Sequence, residues 1–297
     1  MKSIELSDKV SISNIVYGMW RLTDDQDTSA GHIQNKIEAC LEQGINTFDQ
    51  ADIYGGYTAE GLLGSVLKQS PQLRSAIKII TKCNIVAPMG LHVGKRFKYY
   101  DTTASYINGC IERSLTEMNV EYIDLLLLHR PNPLMDANET GAALDTLINS
   151  GKVNAVGVSN FRPWDFSLLQ SRMQNPLVTN QIEISLSQSS AFNNGDLAFL
   201  QQHSVTPMAW SPLAGGSILQ DSLSPLFLLM QQIGETHSVS PEAVAIAWLL
   251  RHPANIVPIM GSNRLDRIRR FDDASKVDLS AEEWFGLLEQ ASGHPAP

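Results

Sequence analysis

The 297-residue chain is poor in cysteine, in positive charge and in long apolar runs. Its three cysteines, Cys40, Cys83 and Cys110, are odd in number and widely spaced. That pattern argues against a disulfide framework and fits a reducing compartment. No CxxC pair and no Cys/His ligand spacing occurs, so no metal is expected. Lys and Arg number 22 against 31 Asp and Glu, a net charge of −9. The deficit weighs against nucleic acid and anionic membrane surfaces as partners. No run reaches the roughly 18 apolar residues needed to cross a bilayer. The opening MKSIELSDKV lacks the apolar stretch of a secretory leader, so a cytoplasmic location is the expectation. No strand-like run is followed by GxGxxG, which weakens a doubly wound dinucleotide fold.

What is present is an ordinary globular composition, 43% hydrophobic and 18% charged. Eight short apolar runs read as strands: Ile15–Gly18, Ile45–Asp49, Ile77–Lys82, Ile123–His129, Val153–Val158, Leu177–Glu183, Thr206–Trp210 and Ile256–Ile259. Several are apolar at successive positions, as parallel strands covered on both faces are. Helical stretches alternate with them, among them Ile33–Gln43, Thr102–Met118, Pro163–Met173 and Arg264–Ala274. Ser280 with Glu283 has capping-box spacing, and Asp136 reads as a helix N-cap. Eight strand–helix alternations predict a (β/α)8 TIM barrel, which commonly fills about 250 residues as one domain. One domain over residues 1–297 is therefore expected, with an N-terminal hairpin around Ser7-Asp8 closing the barrel's bottom. Long connections follow strands three and seven, at 83–101 and 211–224.

Four polar residues, Asp49, Tyr54, Lys82 and His129, stand at or just past strand ends. A parallel barrel gathers those ends on one rim, where barrel active sites lie. Alone, each has an ordinary reading: an Asx-turn for Asp49, a packed loop aromatic for Tyr54, an exposed strand end for Lys82, a core histidine for His129. Together, a carboxylate, a phenol, an amine and an imidazole make proton-transfer equipment.

Six segments, in order, resemble the aldo-keto reductase family, and specifically its bacterial oxidoreductase branch. They are GINTFDQADIYGGYTAEGLLG (44–64), LLLLHRP (125–131), GKVNAVGVSNF (151–161), NQIEIS (180–185), WSPLAGG (210–216) and PIMGSNRLDRI (258–268). The resemblance implies a (β/α)8 barrel and NADPH-dependent reduction of aldehydes or ketones to alcohols. Tyr54 would be the acid that protonates the carbonyl oxygen. Lys82 would lower the phenol's pKa, Asp49 would hold Lys82 charged and in place, and neutral His129 would orient the carbonyl.

The resemblance also assigns the cofactor contacts. Ser159, Asn160 and Gln181 would hydrogen-bond the nicotinamide carboxamide, and Trp210 would stack on its ring. Ser211, Leu213, Gly215 and Gly216 would wrap the pyrophosphate. Gly261, Ser262, Asn263 and Arg267 would meet the adenosine end and its 2′-phosphate, with Arg264 as a second cation. The chain departs from the family pattern at Arg270 and Phe271, where Glu and Asn usually lie near the adenine. Trp20 would line the substrate pocket, with Phe97, Tyr99 and Tyr100 bordering it. A monomer acting on a small-molecule carbonyl substrate is expected. Two other readings stay open: a Schiff-base lyase or aldolase using Lys82, and an NADPH-binding regulatory subunit with little turnover.

Overall fold

A computed structural model describes residues 1–295. The chain opens with the expected hairpin, β1 (Ser3–Ser7) against β2 (Val10–Ser13), antiparallel. The strands that follow are β3 (Val16–Gly18), β4 (Thr47–Asp49), β5 (Lys78–Cys83), β6 (Ile85–Val86), β7 (Tyr99–Tyr100), β8 (Ile123–Leu128), β9 (Val153–Ser159), β10 (Leu177–Glu183), β11 (Thr206–Trp210) and β12 (Val257–Met260). Eight of them close into a barrel in the order β10-β11-β12-β3-β4-β5-β8-β9, and every pair in that ring is parallel. The small β6–β7 pair lies in the long connection after β5.

The run IDLLLL shows why these strands do not alternate in polarity. Leu125 and Leu127 point into the barrel with Val16, Ile80, Met208 and Val257. Leu126 and Leu128 point outward to the layer that the helices cover. Both faces are dry, so both parities are apolar. Val10 and Ile12 of the hairpin join the inner cluster and close the bottom of the barrel. The inner row turns polar at the top: Ile80 is followed two residues on by Lys82, and Leu127 by His129.

On β10 the pairing with β9 slips by one residue between Leu177 and Asn180. The bulge reverses the side-chain parity. Val178 faces the inner core, and Gln181, three residues on, also faces inward, toward Asp49.

The capping signals are realised. Asp136 accepts from the amides of Asn138 and Glu139, and Ser280 with Glu283 forms a capping box. The expected helix Arg264–Ala274 is corrected. It is a single α-turn, Leu265–Ile268, and then a 3-10 segment, Phe271–Lys276. Two tethers break it: Asp273 pairs with Arg270 and Lys276, and Phe271 is buried beside Tyr17 with ring centroids 6.3 Å apart. The helix expected to reach Met173 ends at Gln170. Among the described residues, no helix is long and apolar enough to cross a membrane. The three cysteines are free and buried.

Candidate active site

A cavity of about 790 Å³ opens at the C-terminal ends of the barrel strands. At its floor the Lys82 ammonium uses all three of its donors. It donates to Asp49 Oδ2 at 2.7 Å, to the Gln50 carbonyl at 2.8 Å and to the Tyr54 hydroxyl at 2.9 Å. Lys82 is wholly buried and Asp49 almost so. The other Asp49 oxygen accepts from Gln181 Nε2 at 2.9 Å. The Tyr54 and His129 rings meet edge to face at 6.0 Å. The four strand-end residues therefore share one point in space.

The electrostatics follow from burial and these partners. Burial alone would lower the Lys82 pKa, but Asp49 and Tyr54 outweigh it and the ammonium is held above its usual range. For Tyr54 burial is the largest effect. It raises the phenol pKa despite the opposing pull of Lys82. The sequence reading expected Lys82 to prevail; in this structure desolvation does, and the phenol keeps its proton at neutral pH. His129 is driven well below its ordinary value by burial first, then by Lys82, Arg130 and Lys98. It is neutral, and its Nδ1 is buried without a hydrogen-bond partner among the described residues.

Beside this point Ser159, Asn160 and Gln181 line the cavity together. Ser159 Oγ donates to the Gln181 carbonyl at 2.8 Å, and Asn160 Nδ2 donates to Ser159 Oγ at 2.8 Å. Asn160 Oδ1 accepts from Trp210 Nε1 at 3.0 Å, which fixes the indole in the wall. One N–H of the Gln181 amide is engaged by Asp49, which leaves its oxygen and its second N–H for a ligand.

Past Trp210 the backbone at Ser211, Ala214, Gly215 and Gly216 runs at positive φ. Gly215 at φ 66° and Gly216 at φ 96° hold a conformation that side-chain-bearing residues resist. Ser211, Leu213, Gly215 and Gly216 all face the cavity. Its far end is lined by Gly261, Ser262, Arg267, Arg270 and Phe271. The Tyr17 hydroxyl donates to the Ser262 carbonyl at 2.9 Å and anchors this end to the barrel.

Some sequence-based assignments lie elsewhere. Asn263 does not line the cavity: its amide donates to the Arg21 carbonyl at 2.7 Å and accepts from Lys36 at 3.1 Å. Arg264 is exposed and paired with Asp266 at 2.6 Å, so the second cation at this end is Arg270. Phe97, Tyr99 and Tyr100 do not line the cavity; Met89 and Lys98 of the same loop do. Trp20 stands at the mouth, 58% exposed. Sequence reasoning missed Arg130, whose only signal was its place directly after His129, and Lys98, which had none beyond lying in a rim loop. Among the described residues no cluster of His, Cys, Asp or Glu could hold a metal.

Comparison with known proteins agrees with this architecture. The chain is 60% identical over 99% of its length, and 99% of the relative's, to 6-dehydroglucose reductase of Agrobacterium fabrum. It is 36% identical, over 97% of its length and 94% of the relative's, to a 6-dehydroglucose reductase of Novosphingobium aromaticivorans. An aldo-keto reductase of Klebsiella pneumoniae, solved in complex with NADPH, superposes with a TM-score of 0.80 at 22% identity, covering 100% of this chain and 96% of that one. The family model "Aldo/keto reductase family" matches residues 14–287, and the chain belongs to that family.

Proposed function

We propose that the protein is an NADPH-dependent carbonyl reductase whose substrates are sugar-derived aldehydes. The observation that carries the reaction class is the Asp49–Lys82–Tyr54 chain beside neutral His129. The substrate class is carried over from the two 6-dehydroglucose reductases, which span nearly the whole chain.

The cavity fits an NADP dinucleotide. The Ser159–Asn160–Gln181 cluster offers donors and acceptors for a carboxamide, and Trp210 offers an aromatic face. The positive-φ glycines Gly215 and Gly216 line the cavity without side chains, so a phosphate could approach the backbone closely there. Arg267 and Arg270 put positive charge where a 2′-phosphate would lie. When bound, the cofactor supplies the hydride that no side chain can.

The protein's own residues manage the proton. The Tyr54 hydroxyl donates to the substrate oxygen, and Lys82 holds the resulting phenolate through its existing 2.9 Å hydrogen bond. Asp49 keeps Lys82 charged. A neutral His129 donates to the same oxygen and fixes the carbonyl's orientation. Every residue this reading uses comes from one chain, which supports a monomer. The unpaired cysteines accord with the cytoplasm.

The test is NADPH consumption with 4-nitrobenzaldehyde and with sugar aldehydes, for the native protein and Tyr54→Phe. Tyr54→Phe should cut kcat by about 10²–10⁴-fold and leave NADPH affinity unchanged. Retained turnover in Tyr54→Phe would remove Tyr54 as the acid. Tight NADPH binding without turnover across the panel would favour a regulatory role instead.

A further inference from the structure

Two cations stand beside the reaction point without carboxylate partners. Lys98 and Arg130 both line the cavity, and the charge of each is felt at His129. Neither is paired with a carboxylate among the described residues. They come from different elements: Arg130 from the end of β8, Lys98 from the loop joining β6 to β7. The Arg130 backbone is clamped from both sides by the buried Asn84 side chain. Its carbonyl accepts from Asn84 Nδ2 at 2.8 Å, and its amide donates to Asn84 Oδ1 at 3.1 Å. The arginine thus leaves a rigid point, while its guanidinium lies 5.8 Å from the Trp210 ring centroid. Trp20 also lines the cavity and is exposed.

Such a pair offers donors and no acceptors. Its natural complement is oxygen, either an anionic group or hydroxyls, and the cavity's charge balance separates the two. Besides Asp49, which pairs with Lys82, the lining holds Arg21, Lys98, Arg130, Arg267 and Arg270 against Glu242 and Asp266, and the Asp273 and Arg264 partners of Arg270 and Asp266 outside it leave the balance unchanged. That surplus is about matched by the phosphates of one NADP dinucleotide, whose monoester alone carries roughly −1.5 to −2. Little positive charge is left over for an anionic substrate. Neutral hydroxyl oxygens still gain from charged donors, because hydrogen bonds to ionised groups are the stronger ones.

We propose that Lys98 and Arg130 set substrate specificity by donating to the hydroxyl or ring oxygens on the carbons close to the carbonyl, selecting polyhydroxylated aldehydes over apolar ones. The inference rests on the reductase reading above. It deepens it by naming the residues that discriminate.

The experiment compares glyceraldehyde with propionaldehyde, which share a carbonyl and a chain length and differ in hydroxyls. The native protein, Lys98→Met and Arg130→Met are assayed with NADPH, and succinic semialdehyde is the anionic control. Each variant should lose about 10–100-fold in kcat/KM for glyceraldehyde and change about threefold or less for propionaldehyde. Glucose, which carries the alcohol that reducing a C6 aldehyde would give, should bind the native protein–NADP⁺ complex and bind both variants more weakly. Equal losses on glyceraldehyde and propionaldehyde would overturn the proposal, as would a loss confined to succinic semialdehyde. Unchanged glucose binding in both variants would overturn it too. The reductase reading fails separately, by absence of turnover of every aldehyde tested, glyceraldehyde and 4-nitrobenzaldehyde included, in the native protein, and glucose binding still tests the donors in that case.

Discussion

The Lys82 ammonium donates to the Tyr54 hydroxyl across 2.9 Å in the floor of the barrel, where the amine is wholly buried. A cation held there pulls the resting phenol's pKa down, but burial outweighs it. Its effect grows as charge develops on the phenol oxygen. In the proposed reaction the pair would favour the charged product of proton transfer over the starting state.

Because Asp49 and Lys82 are buried together, neither tolerates losing the other. Lys82→Met should destabilise the fold by about 3–5 kcal/mol by stranding Asp49 in a dry site. The double variant Lys82→Met/Asp49→Asn should recover a good part of that loss while remaining inactive. Denaturant unfolding of the single and double variants measures the coupling. Equal stability of Lys82→Met and the native protein would mean that water reaches the pair.

The pH dependence follows from two shifts. Tyr54 is raised above its usual value near 10, so the acid form persists through neutral and mildly alkaline pH. His129 is lowered well below 6.5 and stays neutral over the same range. The kcat for aldehyde reduction should therefore be flat from about pH 6 to 9 and fall only as Tyr54 deprotonates. Alcohol oxidation, which needs the phenolate, should rise with pH instead. A limb near pH 6.5 in the reduction profile that disappears in His129→Gln would show a charged histidine.

Stability carries the His129 shift with a definite sign. The unfolded histidine takes up a proton below about pH 6.5, and the folded one does so only at lower pH. Its contribution is full above that value and is lost as pH falls toward the folded pKa. Tm should thus drop more steeply between pH 6.5 and 5 in the native protein than in His129→Gln. Parallel Tm curves would mean that the imidazole charges freely in place.

At the far end of the cavity Arg267 lines the wall. Arg267→Ala should weaken NADPH binding by about 10–100-fold and leave NADH within a fewfold, since only NADPH carries the 2′-phosphate. Fluorescence titration with both cofactors reads the ratio. A parallel loss would show that Arg267 supports the fold of the segment rather than the phosphate.

Borohydride treatment with a carbonyl substrate should leave no adduct on Lys82. Its amine has all three donors engaged and is held charged, so it is a poor nucleophile. A substrate-mass increase on Lys82 by peptide mass spectrometry would revive the lyase reading.

Local sequence determined the barrel and its strand ends. Apolar runs of fixed length alternating with helical stretches permit few other arrangements, and the order of the strands fixes which residues reach one rim. Asp49, Tyr54, Lys82 and His129 were legible for that reason. The 264–274 region was misread because helical periodicity is local, while the Arg270–Asp273 pair and the burial of Phe271 against Tyr17 are not. The direction of the Tyr54 shift belonged to the tertiary structure as well. Desolvation depends on every atom that excludes water from the phenol, and no spacing along the chain encodes it. So did the turning of Gln181 toward Asp49 by the β10 bulge, and the lining of one cavity by Lys98 and Arg130 from two distant segments. Pattern along a chain specifies what each element is; the sharing of buried volume among elements specifies what each side chain can do.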